Sequence, residues 1–315
     1  MTDKTKAQIE EMKKQTFGVE VEMYDISRQK AAQVAAAYFG TNNYAYTANR
    51  NGYRTWSAWD QEGREWKFQR DSSIRAACDD EKCELVTPIL VYKDMPLLQE
   101  LIRQLRHAGA KSNPQHTCGI HIHVGAAGHT ARTLRNLVNL MASKEDLIIK
   151  ALYIDRYRVG TYCKMVDPAF LQRLNDEKPQ TMDALADIWY ETQAPYDDRN
   201  EHYNDSRYHM LNLHATFTKG TVEFRLFQFN NPHGEHKGGL HAGRLKAYVQ
   251  FCLAVSQMAK QSRTCNPAVQ QRENPKFAMR TWLIRCGFVG PEFNLAMKFF
   301  TQNLPGNAAW RRNIA

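Results

Sequence analysis

The sequence predicts an α+β fold in a single domain spanning residues 1–315, and three observations predict it. Segments that alternate polar and apolar residues, the period of a strand, are interleaved with segments of helical periodicity. The alternating segments run from residue 17 to residue 229 and carry charge on one face, so they are expected to converge rather than to serve separate cores. No internal repeat or low-complexity tract divides the chain.

Residues 2–15 form a charged, partly helical lead-in, and FGVEVEM (Phe17–Met23) alternates as the first strand. The alanine-rich stretch Ala31–Phe39 is helical and Gly40 stops it. YRTWSAWD and REWKFQRD flank the turn QEG as an aromatic hairpin, and CELVTPIL is a strand ending near Pro88. Met95–Ala108 carries Leu97, Leu98, Leu101, Ile102 and Leu105 at helical spacing. After the strand CGIHIHVG, Ala131–Tyr153 reads as one long helix. Residues 191–206 are polar and turn-rich, as in a surface loop or lid. RYHMLNLHATF is expected to pass through the turn Thr218-Lys219-Gly220 into TVEFRLFQF as a hairpin. A loop rich in glycine, histidine and asparagine over 228–243 follows, suited to closing over a ligand. RLKAYVQFCLAVSQMA then returns to helix, and residues from about Ser262 form a helical tail with basic patches.

A hydrophobic content of 43% with 24% charged residues excludes the composition of a disordered chain. The formal charge of +9 favours anionic ligands such as nucleotides, acidic metabolites or nucleic acid, without choosing among them. Seven scattered cysteines cannot all pair within one chain, and CDDEKC lacks the spacing of a zinc knuckle, so a reducing cytoplasm is expected. The charged N-terminus has no signal-peptide core, and no run of about 18 apolar residues occurs, so neither export nor a membrane partner is expected.

The chemistry is concentrated in Glu20 and Glu22, His121 and His123, and Glu223 and Arg225, each pair two residues apart and therefore on one strand face. Any half-exposed strand alternates in this way, so one pair alone carries little. Together they point to a polyvalent cation, because rows of buried carboxylates and imidazoles are costly unless a cation offsets their desolvation. Glu20, Glu22 and Glu223 with one imidazole suit magnesium or manganese better than structural zinc. Such ions bridge phosphates, and Arg225 suits a transferring phosphoryl group. Simpler roles stay open: Arg225 as the neutralising neighbour of Glu223, and His123 as a hydrogen-bonded bystander. Weaker candidates are Arg158 and Lys164 as charges for an acidic substrate, His233, His236 and His241 as a second metal site, and Trp56, Trp59 and Trp66 as a stacking group.

The ordered set FGVEVE, RDSSI followed by ELVTPIL, CGIHIHVG, RYHMLNL and TVEFRLF resembles the amidoligase family, within the glutamine synthetase and glutamate-cysteine ligase superfamily of carboxylate-amine ligases. The resemblance spans roughly residues 16–255 and leaves 256–315 as a helical C-terminal extension. It implies a glutamine synthetase-like catalytic fold: a curved, mainly antiparallel sheet with helices on its outer face and a concave face binding ATP and two or more Mg2+ ions, with Mn2+ as an alternative. Matched by motif, the implied metal ligands are Glu20, Glu22, Glu84, His121 and Glu223, the first histidine of the pair being preferred. His123 then lies near the nucleotide phosphates and Arg225 faces the transferred phosphoryl group.

Asp71 and Arg207 are further catalytic candidates. Asp71 stands in Asp71-Ser72-Ser73, where the family often has D-G-S, and equally suits a turn cap; Arg207 equally suits a surface ion pair. The implied activity is an ATP- and magnesium-dependent ligation of a carboxylate to an amine through an acyl phosphate. The identities of both substrates and the oligomeric state stay open. So do two other classes of function: a basic nucleic-acid-binding protein using the aromatic hairpin, and a metal-dependent hydrolase.

Overall fold

In the computed structural model, residues 2–47, 52–194, 196, 198–201, 203–229, 239–269 and 273–309 are described. The chain begins with α1 (Asp3–Lys13), β1 (Phe17–Met23), α2 (Arg28–Phe39), β2 (Tyr44–Tyr46), β3 (Trp56–Trp59), β4 (Glu65–Gln69) and β5 (Cys83–Val86). It continues through α3 (Met95–His107), β6 (Ile120–Gly125), α4 (Ala131–Ala142), α5 (Glu145–Leu152), α6 (Arg156–Thr161), α7 (Pro168–Glu177) and α8 (Met182–Gln193). The last elements are β7 (Leu211–Asn212), α9 (His214–Lys219), β8 (Thr221–Phe227), α10 (Ala242–Gln261), α11 (Pro275–Arg285) and α12 (Asn294–Thr301). These form a mixed helix and antiparallel-sheet protein in two compact units, one of residues 16–122 and 227–246, the other of residues 1–15, 123–226 and 247–315.

In the first unit the strands are ordered β2-β3-β4-β5-β1-β6, with β2–β3, β3–β4, β4–β5 and β5–β1 antiparallel. The hairpin expected around QEG is β3–β4. Its turn is held by the Asp60 carboxylate, which accepts from the backbone N–H groups of Glu62 and Arg64, the Arg64 guanidinium and the Trp66 indole. Trp66 is fully buried and tilted against Phe39 at 5.2 Å, so this ring packs the hairpin instead of offering a stacking surface. The alanine-rich helix α2 lays Ala31, Ala32, Ala35, Ala36 and Phe39 against β2, β3 and β4; small side chains at helical spacing allow that close approach. Ser27 caps its start and Gly40, at φ 73°, ends it in the left-handed conformation that glycine adopts without strain.

In the second unit the order is β6-β8-β7, with β7–β8 antiparallel. Two expectations are corrected here. The single helix over Ala131–Tyr153 is broken into α4 and α5: Ser143 caps α4 with its hydroxyl donating to the Leu140 carbonyl at 3.0 Å, and Lys144 leaves the helical basin at φ −136°. Both Glu145 carboxylate oxygens then accept from the Val166 N–H, which fixes the start of α5. The simple hairpin expected around Thr218–Gly220 instead contains a helix. β7 is only two residues long, and HATFTK coils as α9, drawn inward by the buried His214 ring at 2.7 Å from the Tyr190 hydroxyl.

The segment 191–206 is only partly a loop. Its start continues α8, and Ser206 is buried, accepting from the Trp189 indole at 3.0 Å. Helices α6, α7 and α8 lie in a stretch for which no element was expected; α7 and α8 meet through an edge-on contact of Phe170 with Trp189 at 5.0 Å. The tail supplies α11 and α12 as expected. Most of the 228–243 loop, including His233 and His236, lies outside the described residues. All seven cysteines are free thiols. No helix among the described residues is long and apolar enough to cross a membrane.

Candidate functional site

In the first unit the alternation of β1 sends Val19, Val21 and Met23 into the core and Glu20 and Glu22 to the opposite face. Strand register then sets Glu22 directly opposite Glu84 on β5, and Glu84 opposite Gln69 on β4. Like charges facing each other across a ladder repel. Glu84 is only 5% exposed, and its carboxyl is pushed well above the usual range, first by burial and then by the charges of Glu20, Asp71 and Glu22. The Gln69 amide, donating to Glu84 Oε2 at 2.8 Å, acts in the other direction.

Around this carboxylate the remaining donors are ordered. His121 Nδ1 lies 2.8 Å from Glu20 Oε2 and its Nε2 lies 3.7 Å from Glu22 Oε1. Glu22 Oε2 accepts from the Gly119 N–H at 2.6 Å. Asp71 caps its own turn by accepting from the Ser73 N–H at 2.6 Å, the role the sequence left open, and also joins the cluster. Within this unit the potential ligand atoms form two groups, Glu20, Glu84 and His121, and Glu22, Asp71 and Glu84; within each they lie within 4.8 Å of one another. Glu84 belongs to both.

The second unit holds His123, Glu223 and Arg225. His123 Nδ1 is 2.9 Å from the Thr221 hydroxyl, which orients the ring, and its Nε2 is 3.9 Å from Glu223 Oε1. Glu223 is 3% exposed; Arg225 donates to its Oε1 at 2.6 Å and the Asn212 amide to its Oε2 at 2.7 Å. Asn212 is the register partner of Glu223 across β7–β8. Arg158, a candidate charge for an acidic substrate, is buried and donates to the Arg225 backbone carbonyl at 3.2 Å. The Arg207 guanidinium lies 4.6 Å from the ring centres of both Tyr203 and Tyr208. Among the described residues this guanidinium is set against these aromatic rings. Lys164 pairs through its backbone with His209.

The carboxylate group in the first unit is suited to a hard divalent cation. The charged groups acting on buried Glu84 are carboxylates, and the donor set is oxygen with one imidazole, the chemistry of magnesium or manganese sites. Sequence reasoning missed Gln69, Asn212, Gly119 and Thr221. Gln69 shares its strand face with Glu65 and Lys67 in EWKFQ, and Asn212 lies within RYHMLNL, but their partners depend on register between strands, which periodicity does not specify.

The protein thus combines helices with antiparallel strands that carry carboxylates and imidazoles. Residues 13–256 match the model of the family described as "Putative amidoligase enzyme", and the chain belongs to this amidoligase family, which supports a ligase activity. No curated protein matches its sequence significantly. Among solved structures, that of a bifunctional glutathione synthetase from Pasteurella multocida is similar at a TM-score of 0.42 and 13% identity, over 96% of this chain and 49% of that one. The chain thus spans about half the length of that protein.

Proposed function

We propose that this protein is an ATP- and magnesium-dependent ligase that joins a carboxylate to an amine through an acyl phosphate. The observation that carries it is Glu84, a buried carboxylate shared by two ligand groups and acted on by other carboxylates, in a chain of the amidoligase family. The proposal extends to a catalytic fold of the glutamine synthetase type, with the chain acting as one catalytic domain in the cytoplasm.

Glu20, Glu22, Glu84, His121 and Glu223 are the residues assigned to hold two or more Mg2+ ions, or Mn2+ in their place. Bound cations supply neutralisation of the phosphate charge. The chain's own groups do the rest: His123 donates to the nucleotide phosphates, Arg225 clamps the phosphoryl group in transfer, and Arg207 and Asp71 orient substrate. A substrate carboxylate oxygen attacks the γ-phosphorus and the bond to ADP breaks. The amine nitrogen then attacks the acyl carbon, phosphate departs with the bonding pair, and the nitrogen loses its proton. Exclusion of water protects the acyl phosphate from hydrolysis. No protein nucleophile is needed, in keeping with burial pushing the thiols of Cys83, Cys163, Cys252 and Cys286 up and away from thiolate.

The test is ADP release with Mg2+, ATP and pooled carboxylates and amines, followed by mass analysis of products, in the wild type and in Glu223→Gln. The wild type is expected to release ADP and form an amide, and the variant to lose that activity with its fold intact. Near-normal turnover in Glu223→Gln overturns its assignment as a ligand. Hydrolysis without ATP points to a hydrolase instead, and salt-sensitive nucleic-acid binding without ATP dependence points to a nucleic-acid-binding protein.

A further inference from the structure

Glu84 is the carboxylate common to both ligand groups of the first unit, and the amide opposite it was assigned no role. Gln69 faces Glu84 in the β4–β5 register and donates its Nε2–H to Oε2 at 2.8 Å. That hydrogen bond fills a lone-pair site on Oε2 and fixes the carboxylate about its terminal torsion. We propose that Gln69 is a positioning residue that sets the cation selectivity of this cluster, holding Glu84 for one-oxygen coordination of a small octahedral ion and against two-oxygen coordination of calcium. The inference rests on the metal-binding role proposed above and goes beyond it.

The choice of side chain supports this role. A lysine or arginine at position 69 would place a fixed cation on Glu84 and compete with a metal, whereas an acid would add one more like charge to a group already holding Glu20, Glu22 and Asp71. Glutamine donates without charge. The cation on the same strand face, Lys67, is instead directed to Glu65 at 3.6 Å. In the second unit a neutral amide, that of Asn212, likewise donates to a register-paired carboxylate, Glu223, at 2.7 Å, there beside the Arg225 guanidinium on the other oxygen. Mg2+ and Mn2+ favour octahedral sites of single carboxylate oxygens and water, while Ca2+ takes more ligands and readily takes both oxygens of one carboxylate. An amide locked onto Oε2 therefore discriminates by geometry.

The experiment is calorimetric titration of the full chain with Mn2+ and, separately, Ca2+, in the wild type, Gln69→Met and Gln69→Glu, with circular dichroism to check the fold. Methionine keeps the length of the side chain and removes the donor; glutamate keeps its shape and removes the donor. The wild type is expected to prefer Mn2+, and both variants to lose about tenfold or more of the Mn2+ over Ca2+ preference. An unchanged ratio, whether both affinities fall together or neither moves, overturns the role of Gln69 while leaving the metal site standing. A wild type that binds neither ion removes the metal site itself, and the selectivity with it.

Discussion

The same two-residue alternation produces opposite electrostatic situations in the two units. In the first, Glu20, Glu22, Glu84 and Asp71 are gathered with a histidine, an amide and a backbone N–H, and burial and mutual repulsion push the Glu84 carboxyl up. In the second, Glu223 is equally buried but carries the Arg225 guanidinium on one oxygen and the Asn212 amide on the other. One group is a surplus of carboxylates beside a single imidazole, and in the other a guanidinium already sits on the carboxylate. Buried charge is tolerated only when balanced, so the first group depends on a bound cation, whereas Arg225 balances Glu223 and, by turning to an incoming anion, would leave that carboxylate to a metal.

Arg225→Lys breaks the second half of this contrast and has the largest expected effect. Lysine keeps the charge near Glu223 but loses the planar fork, so turnover is expected to fall about 100-fold while the fold is retained. A rate equal to the wild type would reduce Arg225 to a neutraliser of Glu223.

Glu145 sharpens the contrast as a control, being a buried carboxylate outside both groups. Burial raises its pKa from 4.5 to about 7, against the two hydrogen bonds from Val166. Because the folded value lies above the unfolded one, its stability contribution is fully present below pH 4.5 and is lost as pH rises through about 7, a cost of about 3 kcal/mol at pH 8. Glu145→Gln is expected to remove this loss. Urea melts at pH 5 and pH 8 should show the variant gaining on the wild type at the higher pH, with no dependence on Mn2+. An equal difference at both pH values would show that Glu145 does not titrate in this window.

What the sequence made legible was local. The β3–β4 hairpin, α2 with its Gly40 stop, and α3 follow from turn residues and periodicities within a few positions of one another. The alternating pairs came directly from period two, whereas Glu84 and Asp71 were singled out through family resemblance. What stayed hidden depends on distant partners. The break between α4 and α5 is stabilised by Glu145 reaching Val166, and α9 is held by His214 meeting Tyr190. Gln69 and Asn212 acquire meaning only once register sets them opposite Glu84 and Glu223.

The most direct test of the account is the melting temperature of the wild type and Glu84→Gln, each with and without Mn2+. Removing one of several crowded carboxylates is expected to raise the melting temperature of the metal-free protein, while Mn2+ raises that of the wild type and has little effect on the variant. A wild type indifferent to Mn2+, or a Glu84→Gln protein that is less stable without metal and keeps the full Mn2+ response, would contradict it.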